Sequence, residues 1–160
     1  EECEEEIRGM SQKDDGVQNW REKFSVYSMH ESIIRQIKCE DGKLTLVFSP
    51  EDGYSLFNRE KGILEPPMHD AVMEFRMDGL TEDEAECYLE LVLLKKKRVK
   101  YIDFPTLCKM LEKDRFRVYE EYVSYLGDAL LITGNIGKYG LACKLSSIDE
   151  VIFKAREESR

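Results

Sequence analysis

The sequence predicts a mainly β protein: an antiparallel sandwich or partly rolled barrel of about seven to eight short strands, with one helix near 104–114. Short apolar or alternating segments recur along the chain, and turn residues separate them. Their order lacks the regular β-α alternation of a parallel doubly wound sheet. Only the segment near 104–114 has a clear helical period. An α+β arrangement is the alternative class.

A β-hairpin is predicted where the strand-like segments SIIRQIK (32–38) and KLTLVF (43–48) flank Asp41-Gly42. Glycine tolerates the positive φ of a tight hairpin turn. A later segment, AVMEFRM (71–77), alternates along its length. Strand side chains point to opposite faces in turn, so one set of alternate residues forms the predicted core face: Met73, Phe75 and Met77.

The segment EAECYLELVLL (84–94) fits two structures. Thr81 and Glu84 have the spacing of a capping box that opens a helix. Strict alternation of apolar residues from Ala85 to Leu93 favours a half-buried strand instead, and we predict a strand. The KKKRVK run (95–100) that follows is interpreted as a charged exit from this strand rather than a nucleic-acid patch.

The helix is predicted at FPTLCKMLEKD (104–114). Pro105 suits a first turn, where its missing N–H costs little, and Leu107, Met110 and Leu111 recur on one face. Four strands follow: RFRVYEEYVSYL, ALLITGNI, LACKLS and IDEVIFKA. In the first of them, alternation places Phe116, Val118 and Glu120 on one face of the strand and Tyr119, Glu121 and Val123 on the other. The glycines of ITGNIGKYG are assigned to a hairpin turn.

Residues 1–28 are polar and lack a sustained apolar period. We expect them to form a tail, a linker or a short helix, with 29–160 as a single globular β-rich domain. Because the first residue is Glu, a trimmed chain is expected, and Met29 is an alternative natural start.

The net charge of -9 argues against nucleic acid and anionic membranes as partners and favours a basic surface. Five widely spaced cysteines without a C-x-x-C motif argue against a disulfide framework or a zinc knuckle. Cys108, near the predicted helix start, is the best candidate for a reactive thiol. No apolar stretch approaches the ~20 residues of a membrane span. A cytoplasmic location is expected.

The two histidines occur in similar hexapeptides, MHESII and MHDAVM. His30 and His69 are the candidate metal ligands, since imidazole and carboxylate suit transition metals. Acid–base catalysis by a histidine beside a carboxylate is the second interpretation. Alternation along a strand would place each histidine and its acidic neighbour on opposite faces. The third interpretation is therefore that both hexapeptides are only strand beginnings.

A stretch of tyrosines and acids provides the candidate partner-binding residues: Tyr119, Glu120, Glu121, Tyr122 and Tyr125. Tyrosine supplies contact area at low entropic cost, and carboxylates pair with Arg and Lys. The structural alternative is a strand whose tyrosines complete the edge of the core.

The segment MHESIIRQIKCEDGKLTLVF resembles the openings of small uncharacterised bacterial all-β domains, some of which are grouped with immunity proteins of bacterial toxin systems. The resemblance implies a class of protein and no catalytic residues.

The sequence contains no Gly-rich phosphate loop, G-x-S-x-G or H-E-x-x-H motif. The leading expectation is a non-enzymatic protein-binding module without a cofactor, toxin-neutralising or regulatory, with a basic protein as partner. The alternatives are a small metal-dependent or acid–base enzyme that uses His30 and His69, and a structural domain of a longer chain.

Overall fold

The computed structural model describes residues 20–40, 42–77, 85–93, 96–124 and 129–156. Its helices are α1 (Trp20–Lys23) and α2 (Phe104–Lys113). Its strands are β1 (Tyr27–Ser28), β2 (Ile33–Glu40), β3 (Lys43–Phe48), β4 (Ser55–Asn58), β5 (Ile63–Leu64), β6 (His69–Met77), β7 (Ala85–Leu93), β8 (Lys96–Ile102), β9 (Phe116–Val123), β10 (Leu130–Ile136), β11 (Tyr139–Leu145) and β12 (Ile148–Arg156).

The strands form a nine-stranded antiparallel sheet and a three-stranded one. The large sheet has the order β12-β6-β3-β2-β9-β10-β11-β7-β8, and the small sheet has the order β1-β4-β5. Within the described ranges the large sheet is open rather than a closed barrel, since β12 and β8 are its two ends. The mainly β prediction is confirmed, with more strands than expected because several short segments also pair.

The segment that fitted both a helix and a strand is a strand: β7 pairs with β11 on one side and with β8 on the other. The capping-box residues Thr81 and Glu84 lie outside the described residues. Cys87 of β7 lies opposite Cys143 of β11 on one side and opposite Ile102 of β8 on the other. Tertiary pairing therefore agrees with the alternation rather than with the local helix signal.

One face of the large sheet is apolar, as the alternating patterns require. The predicted core residues of β6 are all buried, and so are the β3 residues opposite Met73 and Phe75. The buried set includes Leu44, Leu46, Phe48, Met73, Phe75 and Met77. Each side chain of this size removed from water contributes about 1.5–3 kcal/mol to stability, so the face holds the sheet in one register.

Helix α2 covers part of this apolar face. Its N-cap residue Asp103 accepts a hydrogen bond from the backbone N–H of Thr106 at 2.8 Å, and Pro105 lies in the first turn. Leu107 and Leu111 are buried, and Met110 is half-buried, as the sequence predicted. A cavity of about 10 Å³ lies between the helix and the sheet, which leaves space for about one water molecule. Neither helix in the described ranges combines the length and hydrophobicity that crossing a bilayer requires.

An aromatic cluster covers the β12 end of the same face. Phe153 of β12 stacks on Tyr27 with 4.1 Å between ring centroids and meets Tyr54 edge-on at 5.2 Å. From α1, Trp20 is buried, and the Lys23 ammonium donates to the Val151 carbonyl at 2.8 Å. Helix α1 lies in the region expected to form a tail, a linker or a short helix, and its Trp20 packs on the same core as the rest of the described chain.

A bulge interrupts the pairing of β9 with β10. Gly134 lies opposite Val118, and the preceding residue Thr133 lies opposite Glu120, so Tyr119 has no residue opposite it. The two strands approach so closely here that a Cβ on Gly134 would lie 1.9 Å from the Arg117 carbonyl oxygen. An extra residue in a strand shifts the alternation by one position. Beyond the bulge, the side chains that would have faced the core face solvent, and the others face the core. Gly134 therefore belongs to the bulge and not, as the sequence suggested, to the hairpin turn.

Replacing this glycine tests the close approach. We expect Gly134→Ala to lower the free energy of unfolding by about 2–4 kcal/mol, because backbone atoms must shift to admit the methyl group. Gly62→Ala is the control: its φ of 65° is also unfavourable for alanine, but no atom lies within 4 Å of the new Cβ. That substitution should cost about 1 kcal/mol. Urea unfolding measures both values, and equal losses would contradict the close approach.

Candidate functional site

Three of the predicted partner-binding residues face solvent together on β9. Tyr119 and Tyr122 are 51% and 52% exposed, and Glu120 between them is also exposed. We call these three residues the Tyr–Glu face. The Tyr122 hydroxyl donates a hydrogen bond to the Glu120 carboxylate. Tyr125, the last predicted member, lies outside the described residues.

Glu121 is turned the other way, toward the core. It lies opposite the buried Ile132, on the face that would carry Glu120 if the strand were regular. Its carboxylate accepts a hydrogen bond from the backbone N–H of Met29 at 3.1 Å. Alternation had grouped Glu120 with Val118; the bulge at Tyr119 puts Glu121 on that face instead. Glu121 is therefore an internal anchor rather than part of the exposed surface.

Burial raises the pKa of the Glu121 carboxyl above its ordinary value of 4.5, because a carboxylate removed from water is less stable than the neutral acid. The Met29 N–H and the nearby His30 favour the charged form and oppose this shift, whereas Glu120 adds to it. The Tyr122 pKa is raised by a different cause, its hydrogen bond to Glu120. Tyr122 is therefore held as a neutral donor to that carboxylate.

The first histidine hexapeptide packs against the bulged part of β9. A turn closed by the Ser32 N–H and the Met29 carbonyl, 2.9 Å apart, lies beside the strand. The Glu31 N–H donates to the Val118 carbonyl at 3.0 Å, and the Val118 N–H donates to the Ser32 carbonyl at 2.8 Å. His30 Nδ1 is 2.6 Å from the Tyr119 carbonyl oxygen. Hydrogen bonds from this turn therefore extend the contact with β9 beyond the point where its pairing with β2 ends.

The two hexapeptides share a backbone feature rather than a ligand set. The acid after each histidine has a positive φ: 63° at Glu31 and 47° at Asp70. Such a conformation is uncommon for a residue with a side chain. In each case the next residue is buried, Ser32 in one hexapeptide and Ala71 in the other. The shared pattern is thus a residue of positive φ near the start of each strand, just before β2 and at the second residue of β6.

The structure places both histidines at the same end of the large sheet, with different neighbours. β2 and β6 both pair antiparallel with β3, so they start at the same end. His30 contacts β9, whereas His69 is paired with Arg156 of β12, on the far side of β6. Within the described ranges, no group of three or more His, Cys, Asp or Glu side chains is arranged to hold a metal ion. The metal interpretation stays a prediction.

Cys108, the candidate reactive thiol, is half-buried on α2. Its sulfur lies 3.6 Å from the Ile37 carbonyl oxygen of β2, to which it donates. This contact gives the residue a packing role between the helix and the sheet.

No family model matches the chain, and neither the curated proteins nor the solved structures contain one that matches it. Function must therefore be inferred from the surface itself.

The raised pKa of Glu121 gives a pH-dependent stability. Because the folded protein binds this proton more tightly than the unfolded chain, stability falls as the pH rises from 4.5 through the folded pKa. Glu121→Gln keeps an oxygen acceptor for the Met29 N–H and removes the charge. We expect the free energy of unfolding of this variant, relative to the wild type, to increase as the pH rises from 4.5 through the folded pKa of Glu121. Urea unfolding between about pH 4 and about pH 8 measures it.

Glu120→Gln is the matched control, since it changes the adjacent carboxylate, which is exposed. The same pH trend in this control would show that the effect does not come from Glu121. A Glu121→Gln variant whose stability relative to the wild type is the same at every pH would show that folding does not raise the Glu121 pKa. A relative stability that falls as the pH rises would show that the fold favours the charged form.

Proposed function

We propose that the protein is a non-enzymatic binding module that presents the Tyr–Glu face to a basic partner protein. One observation carries the proposal: Tyr119, Glu120 and Tyr122 are exposed together on a strand inside the sheet. Tyrosine is among the residues that are enriched at the energetic centre of protein interfaces.

The chemistry of the face favours Arg or Lys on the partner. The Glu120 carboxylate offers an ion pair, and the exposed tyrosine rings offer surfaces on which a guanidinium or ammonium group can rest. The hydrogen bond from Tyr122 restricts the Glu120 side chain before binding. A restricted side chain loses less entropy when the partner arrives. The net charge of -9 adds long-range attraction to a basic protein.

The support beneath the face is rigid on both sides. β10 pairs with β9 on both sides of the bulge, and the turn at Met29–Ser32 is hydrogen-bonded to the other edge of β9. Binding surfaces gain affinity when they need not rearrange. For this surface we propose a toxin-neutralising or regulatory role in a bacterial cytoplasm, in line with the resemblance of the segment 29–48.

Removal of the two tyrosine rings tests the proposal. The double variant Tyr119→Ala/Tyr122→Ala should lose a basic partner captured from lysate of the source cell, because it removes most of the exposed contact area. We expect affinity to fall at least about 100-fold, which corresponds to about 2.8 kcal/mol. Quantitative mass spectrometry of captured proteins, followed by titration with the purified partner, measures the loss.

The control variant is Phe57→Ala/Ile63→Ala, which removes two exposed apolar side chains from the small sheet. It should retain the partner. Circular dichroism must show both variants folded. If folded wild-type protein captures no specific partner, or if both variants lose it equally, the Tyr–Glu face is not the binding surface.

A further inference from the structure

We propose that β8 is a second docking site, at which an acidic, extended segment of another protein adds a strand to the large sheet. This inference does not depend on the Tyr–Glu face. Among the strands of the described ranges, β8 is the last of the large sheet. It lies four strands from β9, or about 19 Å at the usual spacing. Substitutions at one surface therefore leave the other in place.

The first argument is charge. Four of the seven residues of β8 are basic: Lys96, Lys97, Arg98 and Lys100. The register pairs each of them with an apolar residue of β7, in order Leu93, Val92, Leu91 and Leu89. Cross-strand partners of opposite charge stabilise a sheet, and β7 supplies none directly opposite these four positions. An incoming strand with acidic residues would supply them.

The second argument is exposure. Val99 and Tyr101 are 60% and 59% exposed, the highest values among the large hydrophobic residues described. They lie two positions apart and therefore on the same face of β8. An end strand also directs every second pair of backbone N–H and C=O groups away from its neighbour. Backbone groups can thus bind an extended chain while Val99 and Tyr101 contact its alternate side chains.

The charge pattern also excludes a symmetric contact. Pairing β8 of one copy with β8 of a second copy would place basic residues opposite basic residues, which is destabilising. Lysines on an end strand commonly prevent such self-association. An acidic partner reverses this effect, because the same lysines then attract it. The net charge of -9 over the whole chain favours a short acidic peptide segment over nucleic acid, whose long polyanion the rest of the surface would repel.

A defined peptide tests the proposal on the full 160-residue chain. The probe is a fluorescent seven-residue peptide of alternating glutamate and valine, matched in length to β8. We expect it to bind with a Kd of about 100 µM or tighter at low salt. The same peptide with a central proline should not bind, since proline lacks the N–H that a new strand donates. Hydrogen exchange at residues 99–101 should slow when the alternating peptide binds.

Lys100→Glu should weaken peptide binding at least about 10-fold, whereas Lys109→Glu, the same change on an exposed position of α2, should not. Any of four results would overturn the proposal: no binding of the alternating peptide; equal binding of the proline peptide; a preference for single-stranded oligothymidine that Lys100→Glu abolishes; or self-association of the wild type that Lys100→Glu abolishes. The first two exclude strand addition by an acidic peptide, the third assigns the strand to nucleic acid, and the fourth to a second copy.

Discussion

The close approach of β9 and β10 at Gly134 is the constraint on which the rest of the site depends. Because residue 134 has no Cβ, the Arg117 carbonyl can come near enough for β9 to accommodate one extra residue at Tyr119. That residue reverses the alternation of everything after it. Glu120 and Tyr122 consequently face solvent, and Glu121 faces the core. The exposed surface and its internal anchor are two results of one backbone irregularity.

The anchor also explains what the histidine hexapeptides do. A carboxylate on an apolar face needs a donor, and the Met29 N–H provides one at the point where the chain enters β2. The turn that presents this N–H has a positive φ at Glu31, and Asp70, the second residue of β6, also has a positive φ. The repeated Met-His-acid pattern thus corresponds to two strand entries. Within this arrangement His30 supports the bulge through the Tyr119 carbonyl.

Much of the fold was predictable, because alternation and turn chemistry act locally. The hairpin of β2 and β3, the core face of β6, the strand β7 and the helix α2 all follow from such patterns. The bulge was not predicted, although a glycine inside the apolar segment ALLITGNI is a typical signal for one. Its consequence, the inward position of Glu121, depends on which residue of β9 lies opposite Gly134. That register is set by pairing between distant segments, so no short stretch of sequence determines it.

The register of β9 against β10 is therefore the quantity to measure, and nuclear Overhauser contacts between the two strands report it directly in solution. The bulged register predicts contacts that pair Val118 with Gly134 and Glu120 with Thr133, with no residue opposite Tyr119. A continuous ladder that pairs Tyr119 with Thr133 and Glu120 with Ile132 would contradict it. In that register Glu121 would face solvent, and the Tyr–Glu face would not exist.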